Sequence, residues 1–181
     1  MRILAISGSL RAHSTNTELL RAAALVVGPQ WTFDHYDGLG ALPHFNPDLD
    51  AEGTEPPQPV RDLRARVAAA DALLICSPEY AHGVAGSMKN ALDWLVSDAE
   101  MVGKPAGLLN ASARSHFSLD ALAETLRTMS TNLVPEAAIV IPLDGRRLDA
   151  AGIAADPALA ALLRGALEAL AAAASVARPP R

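Results

Sequence analysis

Ten residues near the amino terminus combine the groups that hold a phosphate. Gly8-Ser9-Leu10-Arg11-Ala12-His13-Ser14-Thr15-Asn16-Thr17 follows the apolar run Ile3-Leu4-Ala5-Ile6 and opens an amphipathic stretch. A loop that leaves a buried strand and enters a helix presents unpaired backbone N–H groups and the positive end of the helix dipole. Ser9, Ser14, Asn16 and Thr17 add neutral donors, and Arg11 adds a planar charged fork suited to phosphate oxygens. A phosphate monoester carries close to two negative charges, so donors plus one arginine match it better than donors alone. The alternative is a capped helix after a polar loop, with Arg11 in water. Other phosphate signatures fit poorly: the loop lacks the lysine of a Walker A site, and Leu10 stands at the second glycine of the dinucleotide fingerprint.

A second loop, Ser77-Pro78-Glu79-Tyr80-Ala81-His82-Gly83-Val84-Ala85-Gly86, offers a platform that something flat can approach. Tyr80 brings a ring face and a hydroxyl. The alternative is an ordinary turn with Tyr80 covering the core edge. Other reactive side chains read as structural. Cys76 ends an apolar run and behaves as a small hydrophobe. The five histidines (13, 35, 44, 82 and 116) show no i, i+4 pair and no thiolate neighbour, so no metal site is expected. His82 and His116 lie on the loops of interest and are candidates to touch substrate. Lys89 and Asp93 are spaced for an exposed helical pair. Trp94 reads as core or subunit contact, and Arg146-Arg147 as solvated loop charges.

These loops need elements to position them. The expected strands are Arg2–Ser7, Trp31–Tyr36, Ala72–Ser77, Pro105–Asn110 and Ala137–Ile141, from their short apolar runs. The expected helices are Asn16–Val27, Val60–Ala70, Ser87–Leu95, Leu119–Met129 and a last one started by Asp156-Pro157. Thr15 and Glu18 have capping-box spacing. Gly38–Pro59, rich in Pro and Gly, reads as a long surface loop, and Arg178–Arg181 as a frayed tail. Apolar strands alternating with helical crossovers make an α/β fold: a doubly wound five-stranded parallel sheet in the order 2-1-3-4-5. Ligands of such sheets sit at the carboxyl ends of the strands. The loops after the first, third and fourth strands meet there, the last being 110–118.

Composition excludes several classes. The 181 residues fit a single domain, 1–181, and half of them are hydrophobic. A net charge of −5 with no basic stripe argues against nucleic acid. No apolar run is expected to span a bilayer, and the first residues break into Gly8-Ser9 too early for a signal peptide. One cysteine excludes an intramolecular disulfide. The expected setting is cytoplasmic, without membrane or nucleic-acid partners.

Gly8-Ser9-Leu10-Arg11 followed by Ser14-Thr15-Asn16 resembles the GSxRxxSxN loop of the NAD(P)H-dependent FMN reductases, a flavodoxin-like group that includes chromate and quinone reductases. Pro78-Glu79-Tyr80 and Gly86-Ser87-Met88-Lys89-Asn90-Ala91-Leu92-Asp93-Trp94-Leu95 resemble the PEYxxxxxGxxKNAxDW segment of the same family, and the likeness runs to about Val140. The resemblance implies a homodimer or homotetramer holding FMN non-covalently. The phosphate role then falls on Ser9, Arg11, Ser14, Asn16 and Thr17, with Glu18 giving a backbone N–H. The ring role falls on Pro78, Glu79, Tyr80 and Ala81, with Gly83 in the same loop, and on Asn110, Ala111 and Ser112. The implied activity is hydride transfer from NADPH (or NADH) through FMN to a flavin, quinone or similar small acceptor. FMN carries that chemistry, so no protein nucleophile is expected. A flavodoxin-like electron carrier, or a redox sensor without NAD(P)H turnover, is the alternative. Three positions depart from the family pattern: Ala81 where Asn is common, Ala85 where Pro is common, and Ala111-Ser112-Ala113-Arg114-Ser115-His116 in place of a glycine-rich stretch.

Overall fold

The computed structural model describes residues 1–177, so the Arg178–Arg181 tail lies outside the described residues. Strands β1 (Arg2–Ser7), β2 (Thr32–Tyr36), β3 (Ala72–Cys76), β6 (Pro105–Asn110) and β7 (Asn132–Val140) form one parallel sheet in the order β2-β1-β3-β6-β7. This is the expected 2-1-3-4-5 order. Two further two-residue strands, β4 (Glu79–Tyr80) and β5 (Gly83–Val84), pair antiparallel as a hairpin outside it.

Side chains alternate across each strand, which divides the buried strand residues between two cores. Leu4, Ile6, Leu73, Ile75 and Leu108 face a core closed by α2 (Gln58–Ala69), α3 (Gly86–Leu95) and α4 (His116–Thr128). Ile3, Ala5, Leu74, Cys76 and Leu109 face the other, closed by α1 (Thr15–Leu25), α5 (Ala150–Ala155) and α6 (Pro157–Ala177). Both faces of the central strands are therefore covered, and their sequences run apolar without a break.

Several boundaries differ from expectation. The fifth strand starts five residues earlier than Ala137. Pro135 and Glu136 interrupt its apolar pattern, but β7 is an edge strand with a register shift opposite Ala106/Leu108, where a proline costs no ladder bond. The fourth helix begins at His116 rather than Leu119, and α5 is an additional short helix capped by the Asp149 carboxylate, which accepts from the Gly152 N–H at 2.8 Å. Pro59 lies in the first turn of α2 rather than in the preceding loop, a position where its missing N–H has no helical acceptor to lose. The rest of that loop is strapped to α3. Pro43 O accepts from Trp94 Nε1 at 2.8 Å and from Asn90 Nδ2 at 2.9 Å, and Phe45 packs edge-on against the Trp94 ring at 5.1 Å. Trp94 is thus a core residue, fully buried.

Helix α6 amends one expectation. It is 21 residues long and holds an 18-residue window of mean hydropathy 1.6, enough by length and composition for a bilayer span. Leu159, Leu163, Ala166, Leu167 and Leu170 are instead buried against the sheet, and Arg164 and Glu168 lie exposed on the other side.

Candidate active site

The carboxyl ends of β1 and β3 are drawn together by Gly8. Its N–H donates to Cys76 O at 2.8 Å, and its own carbonyl accepts from Ser87 Oγ at the start of α3 at 2.9 Å. A Cβ on Gly8 would lie 2.3 Å from Ser77 Oγ, 2.8 Å from Ser77 Cβ and 3.1 Å from Ser77 Cα. Only glycine allows the first loop to leave the sheet this close to the third strand.

From there the chain enters α1. Ser14, buried, is the N-cap, and its Oγ accepts from the Thr17 N–H at 3.4 Å. The capping box expected from Thr15 and Glu18 does not form. Thr15 is the first helical residue, and the Glu18 carboxylate accepts from Arg21 at 2.7 Å and from the Ala150 N–H at 2.9 Å. The Glu18 N–H bonds to Ser14 O at 2.9 Å, so it cannot serve a phosphate as expected. The Thr17 hydroxyl shares a 2.8 Å hydrogen bond with Ser7 and turns toward β1. The N–H groups of Thr15 and Asn16 donate to no protein acceptor among the described residues. The Arg11 guanidinium is exposed and forms no ion pair among them.

A cavity of about 740 Å³ opens over this helix start. Ser9, Arg11, Ser14, Asn16 and Glu18 line one side, Pro78 and Tyr80 another, and Arg146–Asp149 the side opposite. A second cavity of about 470 Å³ adjoins it, walled by Asn16, Pro78, Glu79, Asn110, Ala111 and Ser112, with Arg146 and Arg147 again at its edge. Of the fourteen residues expected from sequence, only Thr17, Ala81 and Gly83 line neither cavity. Sequence reasoning missed Arg146 and Arg147, which belong to the loop after β7. Arg146 pairs with Asp156 at 2.7 Å.

The hairpin that forms one wall is held from beneath. Glu79 Oε2 accepts from the Ser118 N–H at 2.9 Å, capping α4, whose own N-cap Ser115 gives no side-chain bond. The Glu79 side chain is therefore structural, and what it leaves to a ligand is backbone. The hairpin turn differs from expectation. Gly83 needs no positive φ, and a Cβ there would meet only Tyr80 O, at an ordinary 3.6 Å. Ala81 and His82 hold the left-handed conformation instead, at φ 50° and 59°. Two-residue hairpin turns of this kind favour Asn-Gly, and a Cβ in the left-handed region costs about 1 kcal/mol. Ala81→Gly is therefore expected to stabilise the protein by about 1 kcal/mol, and Gly83→Ala to shift stability by less than about 0.5 kcal/mol. Urea unfolding of the two variants beside wild type checks both signs.

The loop after β6 is shaped by its own polar groups. Buried Asn110 donates through Nδ2 to Ser115 O at 3.0 Å and accepts from the Ser112 N–H at 3.2 Å. Asp144 accepts from Ser112 Oγ at 2.6 Å, from the Ala113 N–H at 3.0 Å and from Arg114 at 3.1 Å. The Ser112 hydroxyl, with smaller help from Ala113 and Arg114, holds the Asp144 carboxyl below the usual carboxylate range. A depressed folded pKa stabilises above the ordinary carboxylate pKa and is lost as pH falls through the depressed value. The turn at 112–114 should thus stay ordered from neutral pH down through the ordinary range. Asp144→Asn is expected to lower protection of the Ala113 amide by up to about fivefold at neutral pH, the scale of exposed ion pairs, and to abolish its loss in acid. Amide-exchange protection factors followed against pH by NMR measure both effects.

Cys76 is fully buried, and its thiol donates to Asn16 Oδ1 at 3.1 Å. Burial pushes its pKa far upward, which removes it as a nucleophile. His82 and His116 flank the half-exposed Phe117 ring, with centroids at 4.2 and 4.1 Å, and neither lines a cavity described above.

A doubly wound parallel sheet in this order, with a cleft at the carboxyl ends of its strands over the start of α1, is the flavodoxin-like arrangement. The profile of the NADPH-dependent FMN reductases matches residues 1–144, and the chain belongs to that family. It is 34% identical over 175 residues to an NAD(P)H-dependent FMN reductase of Pseudomonas aeruginosa, covering 94% of this chain and 93% of that one. A 2-hydroxy-1,4-benzoquinone reductase of a Burkholderia species is 35% identical over 115 residues, 62% of this chain and 61% of its own. Among solved structures, the flavoenzyme NAD(P)H:(acceptor) oxidoreductase of Paracoccus denitrificans superposes with a TM-score of 0.80 at 27% identity, covering 97% of each chain.

Proposed function

We propose that the protein is an FMN-dependent oxidoreductase that takes hydride from NAD(P)H and reduces a flavin, quinone or similar small acceptor. The carrying observation is the coincidence of an unpaired arginine, unpaired α1 N–H groups and a cavity that runs from them to the hairpin wall. Those groups fit a phosphate monoester on a flat-ringed nucleotide. Ser9, Arg11, Ser14 and Asn16 would hold the phosphate, together with the Thr15 and Asn16 N–H groups. Backbone of Pro78–Tyr80 and the Asn110–Ser112 turn would border the ring, and Tyr80, exposed at the rim, would shield it from water. FMN, when bound, supplies the hydride acceptance and electron delivery. The chain's part is to bind it, present backbone donors where negative charge builds on reduction, and keep one face open.

Assembly as a homodimer or homotetramer and a cytoplasmic setting belong to the same proposal. Exposed Leu10 on the first loop, Tyr80 on the hairpin and Phe117 in the first turn of α4 give a second copy apolar surface to cover. Helix α3 spends its apolar face, Met88, Ala91, Leu92 and Leu95, on its own subunit's core, so a contact there would use its polar side. Buried, unpaired Cys76 suits a reducing compartment.

Steady consumption of NADPH by the FMN-loaded protein in the presence of a benzoquinone tests the reading. Turnover is expected. A protein that holds FMN but consumes no NADPH or NADH with any quinone or flavin would instead be a carrier or sensor.

A further inference from the structure

Helix α6 carries an apolar face that its own subunit does not use. Leu159, Leu163, Leu167 and Leu170 commit one side to the sheet. The other side exposes Ala158, Ala161, Leu162, Gly165, Ala172 and Val176. Of the helix's most apolar 18-residue window, with mean hydropathy 1.6, only 39% is buried. Two hollows of about 660 and 430 Å³ run between this side and the edge strand β7, and Glu136 lines both. None of their lining residues lines either cavity of the candidate active site. The family profile ends at residue 144, before α6 begins.

Two features in the middle of this face have no use inside the subunit. Arg164 and Glu168 are the only charged residues of the helix. Both are exposed, and neither side chain makes an ion pair or hydrogen bond among the described residues. They stand four positions apart with the arginine on the amino-terminal side, the poorer order for pairing along one helix. Gly165 lies between them. Glycine weakens a helix interior relative to alanine, and a Cβ here would meet nothing within 4 Å, so nothing in the chain itself calls for its small size.

A second copy supplies a use for both features. Residues rise evenly along a helix, so two α6 helices laid antiparallel about a two-fold axis level with Ala166 bring Arg164 of each level with Glu168 of the other. The charges then form two reciprocal pairs, and the missing side chain of Gly165 lets the helices approach closely at the centre. We propose that this α6 face is a self-complementary interface on which a second copy of this chain docks antiparallel, through Arg164–Glu168 pairs around Gly165. It is separate from any contact made by Leu10, Tyr80 and Phe117, and it does not depend on the reductase reading. Used together, the two contacts close a tetramer of two-fold symmetry.

Light scattering at micromolar concentration tests the interface by charge reversal. Arg164→Glu gives each copy two acids on this face and Glu168→Arg gives it two arginines, so each variant alone meets like charge across the two-fold axis. Each is expected to have about half the mass of wild type, with unchanged far-ultraviolet circular dichroism. An equimolar mixture of the two should regain the wild-type mass, because acid then faces arginine at both positions. Gly165→Leu should also lower the mass to about half, since its side chain blocks the crossing while its Cβ clears its own subunit. A reversal variant that keeps the wild-type mass, or a mixture that stays at the lower mass, would overturn the proposal. So would a wild type that is no heavier than the variants and sediments with phosphatidylglycerol vesicles, which would give this face to a lipid surface.

Discussion

Replacing Gly8 by alanine is expected to destabilise the protein by about 1–3 kcal/mol, the cost of forcing a methyl into a packed site. The added Cβ would lie 2.3 Å from Ser77 Oγ, which can rotate away, but also 2.8 Å from Ser77 Cβ and 3.1 Å from Ser77 Cα, which cannot. Relief requires β1 and β3 to part at their carboxyl ends. That would stretch the bonds from the Gly8 N–H to Cys76 O and from Ser87 Oγ to Gly8 O, which join the first loop to the third strand and to α3. The damage should therefore reach the ligand as well, and FMN affinity should fall along with the urea midpoint. Valine should cost more than alanine. Alanine with wild-type stability would mean that the two strand ends are not held by this contact.

Arg11→Ala is expected to leave the fold intact and to weaken FMN by about ten- to a hundredfold, corresponding to about 1.5–3 kcal/mol for a hydrogen bond to a charged group. The two variants separate cleanly because Arg11 is exposed and makes no ion pair among the described residues, so its removal opens no cavity and strands no partner. Arg11→Lys should retain part of the affinity, since it keeps the charge and loses the fork. Fluorescence titration of FMN into the three proteins gives the comparison, and equal affinities would remove Arg11 from the phosphate site.

The central strands were legible because burial on both faces leaves only apolar runs, as in Leu73-Leu74-Ile75-Cys76. The first half of β7 was not, because an edge strand tolerates Pro135 and exposes Glu136. The hairpin escaped notice for a different reason. Its strands are two residues long, and Ala81-His82 occupies a turn whose usual mark is Asn-Gly. Within the site, the first loop was readable from its own residues, since a strand, donors and a cap lie in consecutive positions. The part of Glu18 was not, because its acceptor work goes to Ala150, 132 positions away. Arg146 and Arg147 looked like solvated charges for the same reason. The docking of α5 on α1 turns their loop over the cavity at the start of α1.

The most direct test of the whole reading is an anaerobic titration of the FMN-loaded protein with NADPH, followed by the visible absorption of the flavin. One equivalent of NADPH per bound FMN should bleach the flavin fully, and adding a benzoquinone should restore the oxidised spectrum. A flavin that stays bound and oxidised under excess NADPH and NADH would contradict it.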